Sequence, residues 1–255
     1  MSEHVRVERD GPVMAITLAR PERRNAITVA MYAALADAIE QASDDPSVRL
    51  ITLRGEGQDF AAGNDLADFL EASRRDLEEI PVWRLLRTLA ECGTPIVAAV
   101  HGNCVGIGTT ILLHCDLVIA DETARFSLPF VDLALVPEAA SSLLLPRLAG
   151  RRRAARYLLL AEPFGVDEAL DIGLVSHRAD PGELAAKLRE IVERLLSKPA
   201  EALRQTQRLL RMGAKDEILD RMRIEGEAFT ERLASDEVRD AITAFFESRA
   251  KRPPA

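Results

Sequence analysis

The sequence predicts an α/β fold in which a core of alternating strands and helices is followed by a helical C-terminal region. Three observations carry that expectation. Ile96-Val-Ala-Ala-Val100 is an unbroken apolar run of strand length, as a strand covered on both faces requires. Short apolar runs alternate with helix-period segments as far as Ala120, which is the pattern of βαβ units. From about Glu138 onward the apolar positions recur at helical spacing to the C-terminus, with breaks at Gly165, Gly173, Pro181, Pro199 and Gly213.

Each element has its own local reason. Val5-Arg-Val-Glu and Val13–Leu18 flank an Asp10-Gly-Pro12 turn and read as a β-hairpin. Pro21 to Asn25 is a polar loop. Thr28 then suits an N-cap, because its hydroxyl can accept from a free first-turn N–H of a helix running to about Ala42. Val48–Leu53 is a short strand that enters the Gly55/Gly57 loop. A helix from about Val82 to Glu91 stops before Pro95, Ile107 to His114 is the next helix, and Leu117–Ala120 is the strand after it. Arg151-Arg-Arg153 reads as a solvated helix start.

Bulk properties narrow the function classes. With 47% hydrophobic residues in 255, the chain can bury a sizeable core. Its 33 basic and 41 acidic residues leave a net charge of −8, which speaks against general affinity for nucleic acid. No apolar run approaches the ~20 residues that span a bilayer, so no membrane association is expected. The segment Met1 to Arg6 has no signal-like apolar stretch, and Cys92, Cys104 and Cys115 form no CxxC pair. Both features set a cytoplasmic expectation. His4, His101, His114 and His177 lack ligand-type spacing, so no metal site is expected. His101, on a glycine turn, is the histidine expected nearest the functional site.

Three segments carry the chemistry. Phe60-Ala-Ala-Gly-Asn-Asp-Leu66 and His101-Gly-Asn-Cys-Val-Gly-Ile-Gly108 each put glycine beside a turn that can aim backbone N–H groups at a developing negative charge. Leu133-Ala-Leu-Val-Pro-Glu-Ala-Ala-Ser-Ser142 places the lone carboxylate Glu138 where an apolar stretch turns into a helix. One base and two such turns suggest proton chemistry next to a carbonyl. From the residues alone, the glycines could instead serve tight packing, and Glu138 could simply be an acid favourable at a helix N-terminus.

Four stretches, in this order and spacing, resemble the crotonase, or enoyl-CoA hydratase/isomerase, superfamily between about Val13 and Val175. They are Arg20-Pro-Glu-Arg-Arg-Asn-Ala26, Phe60–Leu66, His101–Gly108 and Phe126-Ser-Leu-Pro-Phe-Val-Asp-Leu-Ala-Leu-Val-Pro137. The resemblance implies a crotonase-like spiral of ββα units with two near-perpendicular sheets over residues 1–195. It also implies a helical trimerisation region over 196–255, giving a homotrimer or a dimer of trimers. The implied partner is an acyl-CoA substrate, with coenzyme A part of that substrate and no separate cofactor. The implied oxyanion donors are the backbone amides of Asn64 and Ile107, and Ile107 stands at a helix start, where free N–H groups favour negative charge. The implied substrate contacts are Arg24 toward the CoA phosphates, Ala26 in the early CoA loop, and Ala62, Asp65 and Leu66 along the adenine pocket. Gly106 on the glycine turn and Phe130 on an apolar wall complete them.

The departures from the family pattern point to a subgroup. Hydrating members use two glutamates, at the positions that are Thr110 and Phe130 here. Glu138 instead matches the single glutamate of the Δ3,Δ2-enoyl-CoA isomerases. Asn64-Asp65, and Ile107 between Gly106 and Gly108, are most similar to the peroxisomal type. The resulting expectation is a 3-enoyl-CoA to 2-enoyl-CoA isomerase with Glu138 as its one acid/base. The alternatives are a hydratase or thioester hydrolase that uses Glu138 to activate water, and an acyl-CoA-binding protein without chemistry. The loop Asp68 to Pro81 is expected to shape the acyl end.

Overall fold

The computed structural model describes residues 2–68 and 81–250. Strands β1 (Val5–Asp10) and β2 (Val13–Leu18) form the expected hairpin in antiparallel register, Val5 opposite Leu18. Helix α1 (Val29–Asp44) starts on Thr28, whose side chain accepts from the Met31 N–H. Strand β3 (Leu50–Gly55) begins two residues later than its apolar pattern predicts. Val48 is spent in the turn that leaves α1, where its N–H donates to the Asp45 carbonyl at 2.9 Å. Helix α2 (Pro81–Glu91), β4 (Ile96–Val100), β5 (Asn103–Val105), α3 (Ile107–Leu112) and β6 (Leu117–Ala120) follow.

The main sheet has the order β1-β2-β3-β4-β6-β9, parallel except at the β1–β2 hairpin. All five residues of β4 are buried, as its unbroken apolar run requires. A second sheet has the order β5-β7-β8, with β7 at Arg125–Ser127 and β8 at Phe164–Gly165. The helical expectation after Glu138 is corrected here. Strand β8 and strand β9 (His177–Arg178) interrupt that region, because the free edges of β7 and β6 offer unpaired backbone groups to dock against. Two-residue strands leave no alternation in a sequence.

Helices α4 (Ser141–Ala149), α5 (Arg151–Leu159), α6 (Val166–Asp171) and α7 (Leu184–Leu196) close the first 196 residues. Helix α7 lays Ile191, Leu184, Leu188 and Leu195 over Val97 and Ile119 of the sheet. Then come α8 (Ala200–Arg211), α9 (Lys215–Leu233) and α10 (Asp236–Ala250). Met222, Phe229 and Leu233 of α9 and Val238 and Ile242 of α10 enter the main apolar core. Arg211 adds a polar tie. Its guanidinium donates to the carbonyls of Leu89, Cys92 and His114 and to the Asp116 carboxylate at 3.0 Å. No helix among the described residues is long and apolar enough to cross a membrane.

Candidate active site

The site begins with a short backbone ladder. Asn25 is buried with φ 56°, and its side chain accepts from the Arg20 N–H while donating to the carbonyls of Glu56 and Asp59. That clamp lays Arg24–Ile27 beside Ala62–Asp65. The Ala62 N–H donates to the Arg24 carbonyl, Ile27 N–H to Gly63, and Asp65 N–H to Ile27. Ile27 and Asn64 form a parallel bridge whose two bonds are made by the flanking Gly63 carbonyl and Asp65 N–H, so the Asn64 N–H takes no part in this ladder.

The second turn packs directly on the first. Val105 N–H donates to the Ala61 carbonyl, and Gly106 N–H to Ser127. Gly106 takes φ 55°, a left-handed value that glycine reaches without strain, and it turns β5 into α3 with Ile107 as the first helical residue. A Cβ on Gly108 would stand 2.9 Å from the Ala61 side chain, so glycine is what lets the two turns approach. Among the described residues, neither the Asn64 nor the Ile107 amide has an acceptor within the chain.

Both turns open onto a cavity of about 670 Å³. Glu22, Arg23, Arg24 and Ala26 form one wall, Ala62 to Leu66 and Val105 to Ile107 the floor, and Pro129, Phe130, Leu133 and Leu135 an apolar side. The C-terminal helices supply the rest through Phe229, Ala241, Ala244, Phe245 and Phe246. Arg24, Ala26, Ala62, Asn64, Asp65, Leu66, Gly106, Ile107 and Phe130, all singled out in the sequence, therefore share one cavity. Asp65 is held there by Arg20 at 2.8 Å. Arg24 stays largely exposed, its Nε 3.8 Å from Asp59.

Glu138 is the exception. It is buried at 7% exposure, yet it does not line the cavity. It lies one layer deeper, accepting a long hydrogen bond from the Thr110 hydroxyl at 3.5 Å, one turn along α3 from Ile107. Tyr32 approaches from α1 and donates its hydroxyl to the Asn64 side chain. Burial, reinforced by the negative charge of Glu225 and opposed by the Thr110 hydroxyl, pushes the Glu138 carboxyl up to about 8. Tyr32 is likewise raised well above its usual value, first by burial and then by the Glu138 charge.

His101 is not where the sequence suggests. Its ring turns back to the Gly57 carbonyl at 3.0 Å, away from the cavity lining, because the loop after β3 presents that acceptor to it. His114 is the histidine near Glu138, with Nε2 2.8 Å from the Ala139 carbonyl. Burial holds its pKa down at about 4, so the ring is neutral and Nε2 carries the donated hydrogen. Tyr32 and Glu225 escaped the sequence reading, since nothing local distinguishes either from the other polar residues of its helix. The Asp68 to Pro81 loop falls mostly on 69–80, outside the described residues. No group of three or more His, Cys, Asp or Glu able to hold a metal occurs among the described residues.

With two unengaged amides at a cavity floor and a buried carboxyl of raised proton affinity behind it, the site can stabilise an enolate oxygen and relay a proton. Comparisons with known proteins agree on the scaffold. The family model for enoyl-CoA hydratase/isomerase matches residues 8–253. A crotonyl-CoA hydratase of Syntrophomonas wolfei subsp. wolfei is 32% identical over 97% of this chain and 96% of its own. The 1,2-epoxyphenylacetyl-CoA isomerase of Escherichia coli strain K12 is 33% identical over 95% of this chain and 94% of its own. A solved enoyl-CoA hydratase/isomerase from Pseudoalteromonas atlantica T6c superposes with a TM-score of 0.91 at 40% identity, covering 99% of both chains.

Proposed function

The chain belongs to the enoyl-CoA hydratase/isomerase family, and from that premise we propose that it converts a 3-enoyl-CoA to the 2-enoyl-CoA with Glu138 as its only acid/base. It is an enzyme of a crotonase-like α/β fold. One observation carries the finer reading. Thr110 and Phe130 offer no carboxyl, whereas Glu138 is a buried carboxyl touching Thr110 on the very helix that presents the Ile107 amide.

In the proposed reaction Glu138 swings from its deep position to the acyl carbon and takes the C2 proton. The C2–H electron pair spreads through C1 to the thioester oxygen and through C3 and C4 as a dienolate. The amides of Asn64 and Ile107 donate to that oxygen, each such donor contributing about 2.7–4 kcal/mol to the transition state. The protonated Glu138 returns the proton at C4, and the double bond closes between C2 and C3. A base with a raised pKa matches this task better than an ordinary carboxylate. Arg24 would meet the CoA phosphates, Ala26, Ala62, Asp65 and Leu66 the nucleotide side, and Gly106 and Phe130 the acyl thioester. We further propose a cytoplasmic enzyme whose residues 196–255 support a homotrimer or a dimer of trimers, with residues 1–195 as the catalytic core.

Hydration is the second reading, supported by the hydratase name that the Syntrophomonas relative bears. Two incubations separate them. Turnover of a 3-enoyl-CoA that is lost in Glu138→Gln, with crotonyl-CoA left unchanged by the wild type, supports isomerisation. Loss of the conjugated double bond of crotonyl-CoA would instead assign hydration.

A further inference from the structure

Glu138 sits on a turn that its own sequence does not hold. Ala139 and Ala140 are two consecutive non-glycine residues in the left-handed region, φ 58° and 56°. Ala140 is also the N-cap of α4 and has no side chain able to cap it. The missing cap arrives from 85 residues away. Glu225 of α9, itself buried at 6% exposure, accepts from the Ala140 N–H at 2.6 Å and from the Ser142 N–H at 2.9 Å. On the same helix face, Arg221 donates to the Ser142 hydroxyl at 3.1 Å. His114 fixes the Ala139 carbonyl from the other side.

We propose that Glu225 is a positioning residue for the active site: it clamps the Glu138–Ser142 turn and keeps a negative charge beside Glu138. This rests on the reading of Glu138 as the acid/base. A local Ser, Asp or Asn would cap α4 equally well, so the distant carboxylate adds something a cap alone does not. The ionisable groups around Glu138 are Tyr32 from α1, His114 from the end of α3, and Glu225 and Arg221 from α9. Tyr32 is neutral because burial raises it, and His114 is neutral because burial lowers it. Glu225 is thus the neighbour that loads negative charge against Glu138, while Arg221 acts on Glu225, whose carboxyl it holds down. Burial raises the Glu225 carboxyl as well. Each of its oxygens accepts from a backbone N–H, which favours the charged form, whereas Glu138 accepts a single long hydrogen bond, so of the two carboxyls Glu138 is the one that holds a proton more readily. The C-terminal helices thereby tune the base as well as walling the cavity.

The test is a titration of Glu138 by carbon NMR on glutamate-labelled protein, assigned with Glu138→Gln, together with the pH profile of kcat/KM. Glu225→Gln removes the charge but keeps an acceptor oxygen. The Glu138 titration and the acid limb of the profile should both move down by on the order of half a pH unit. Glu225→Asp keeps the charge and should leave both nearly in place. Should Glu225→Gln fail to fold, Glu225→Asn, which also removes the charge, should move the Glu138 titration down. An unchanged Glu138 titration in a folded Glu225→Gln or Glu225→Asn protein reduces Glu225 to a structural cap and overturns the proposal. The NMR readout needs no turnover. Persisting activity in Glu138→Gln would therefore sink the isomerase reading without touching this result.

Discussion

The cavity floor and the layer behind the cavity are built in different ways. The floor, where Asn64 and Ile107 lie, is made of backbone, and its parts sit within short runs whose glycines and local ladder fix them. The layer behind it is made of side chains from separate elements: Tyr32 from α1, Thr110 from α3, Glu138 before α4 and Glu225 from α9. A backbone donor tolerates many side chains, since any residue carries the same N–H. A buried carboxyl depends on every neighbour, since each one changes what it costs to charge it.

Removing the proposed base should have the largest effect and would break the comparison outright if it did not. Glu138→Gln is expected to lower kcat by roughly 10²–10⁴-fold, the usual contribution of a positioned acid/base, while acyl-CoA affinity measured by calorimetry persists. At the floor, Gly108→Ala forces a methyl to 2.9 Å from the Ala61 side chain and pushes the two turns apart. Losing one amide's aim should cost on the order of 10²-fold in kcat, with the fold retained by circular dichroism.

Stability sharpens the contrast in the opposite direction. The Glu138 carboxyl is raised from 4.5 to about 8 in the folded protein, so between those values the folded state holds a proton that the unfolded state has lost. The contribution of this one group to stability is therefore greatest below 4.5 and declines as pH rises through that window. Glu138→Gln removes the titrating group, so its unfolding midpoint in urea should exceed the wild type's at pH 8 and the gap should shrink at pH 5. The difference should be on the order of a few kcal/mol at the upper pH. No gain at pH 8 would mean that the carboxyl is not charged against its surroundings. Tyr32→Phe is the mildest test. It strips the Asn64 side chain of its donor and should cost about 1 kcal/mol in stability, with a smaller effect on acyl-CoA binding.

The same division decides what could be read in advance. The cavity floor was legible because Gly106 and Gly108, and the turn through Asn64, are statements about backbone conformation that a sequence makes locally. The hairpin, the Thr28 cap and the wholly buried β4 were legible for the same reason. Strands β8 and β9 were not, because two residues joining a free edge obey the neighbouring strand and no pattern of their own. His101 was misplaced for a related reason: adjacency in a glycine turn says nothing about which way a ring faces.

By itself the sequence determined the longer strands and the helices between them as far as Ala120, the two amide-bearing turns and the identity of the lone carboxylate, since each depends on residues within a turn or two of one another. The tertiary structure alone decided that Glu138 lies behind the cavity wall, that Tyr32 and His114 flank it, and that Glu225 returns from α9 to hold its turn. Proton affinity is set by desolvation and by charges a few ångströms away in space, and that neighbourhood exists only once distant segments have packed together.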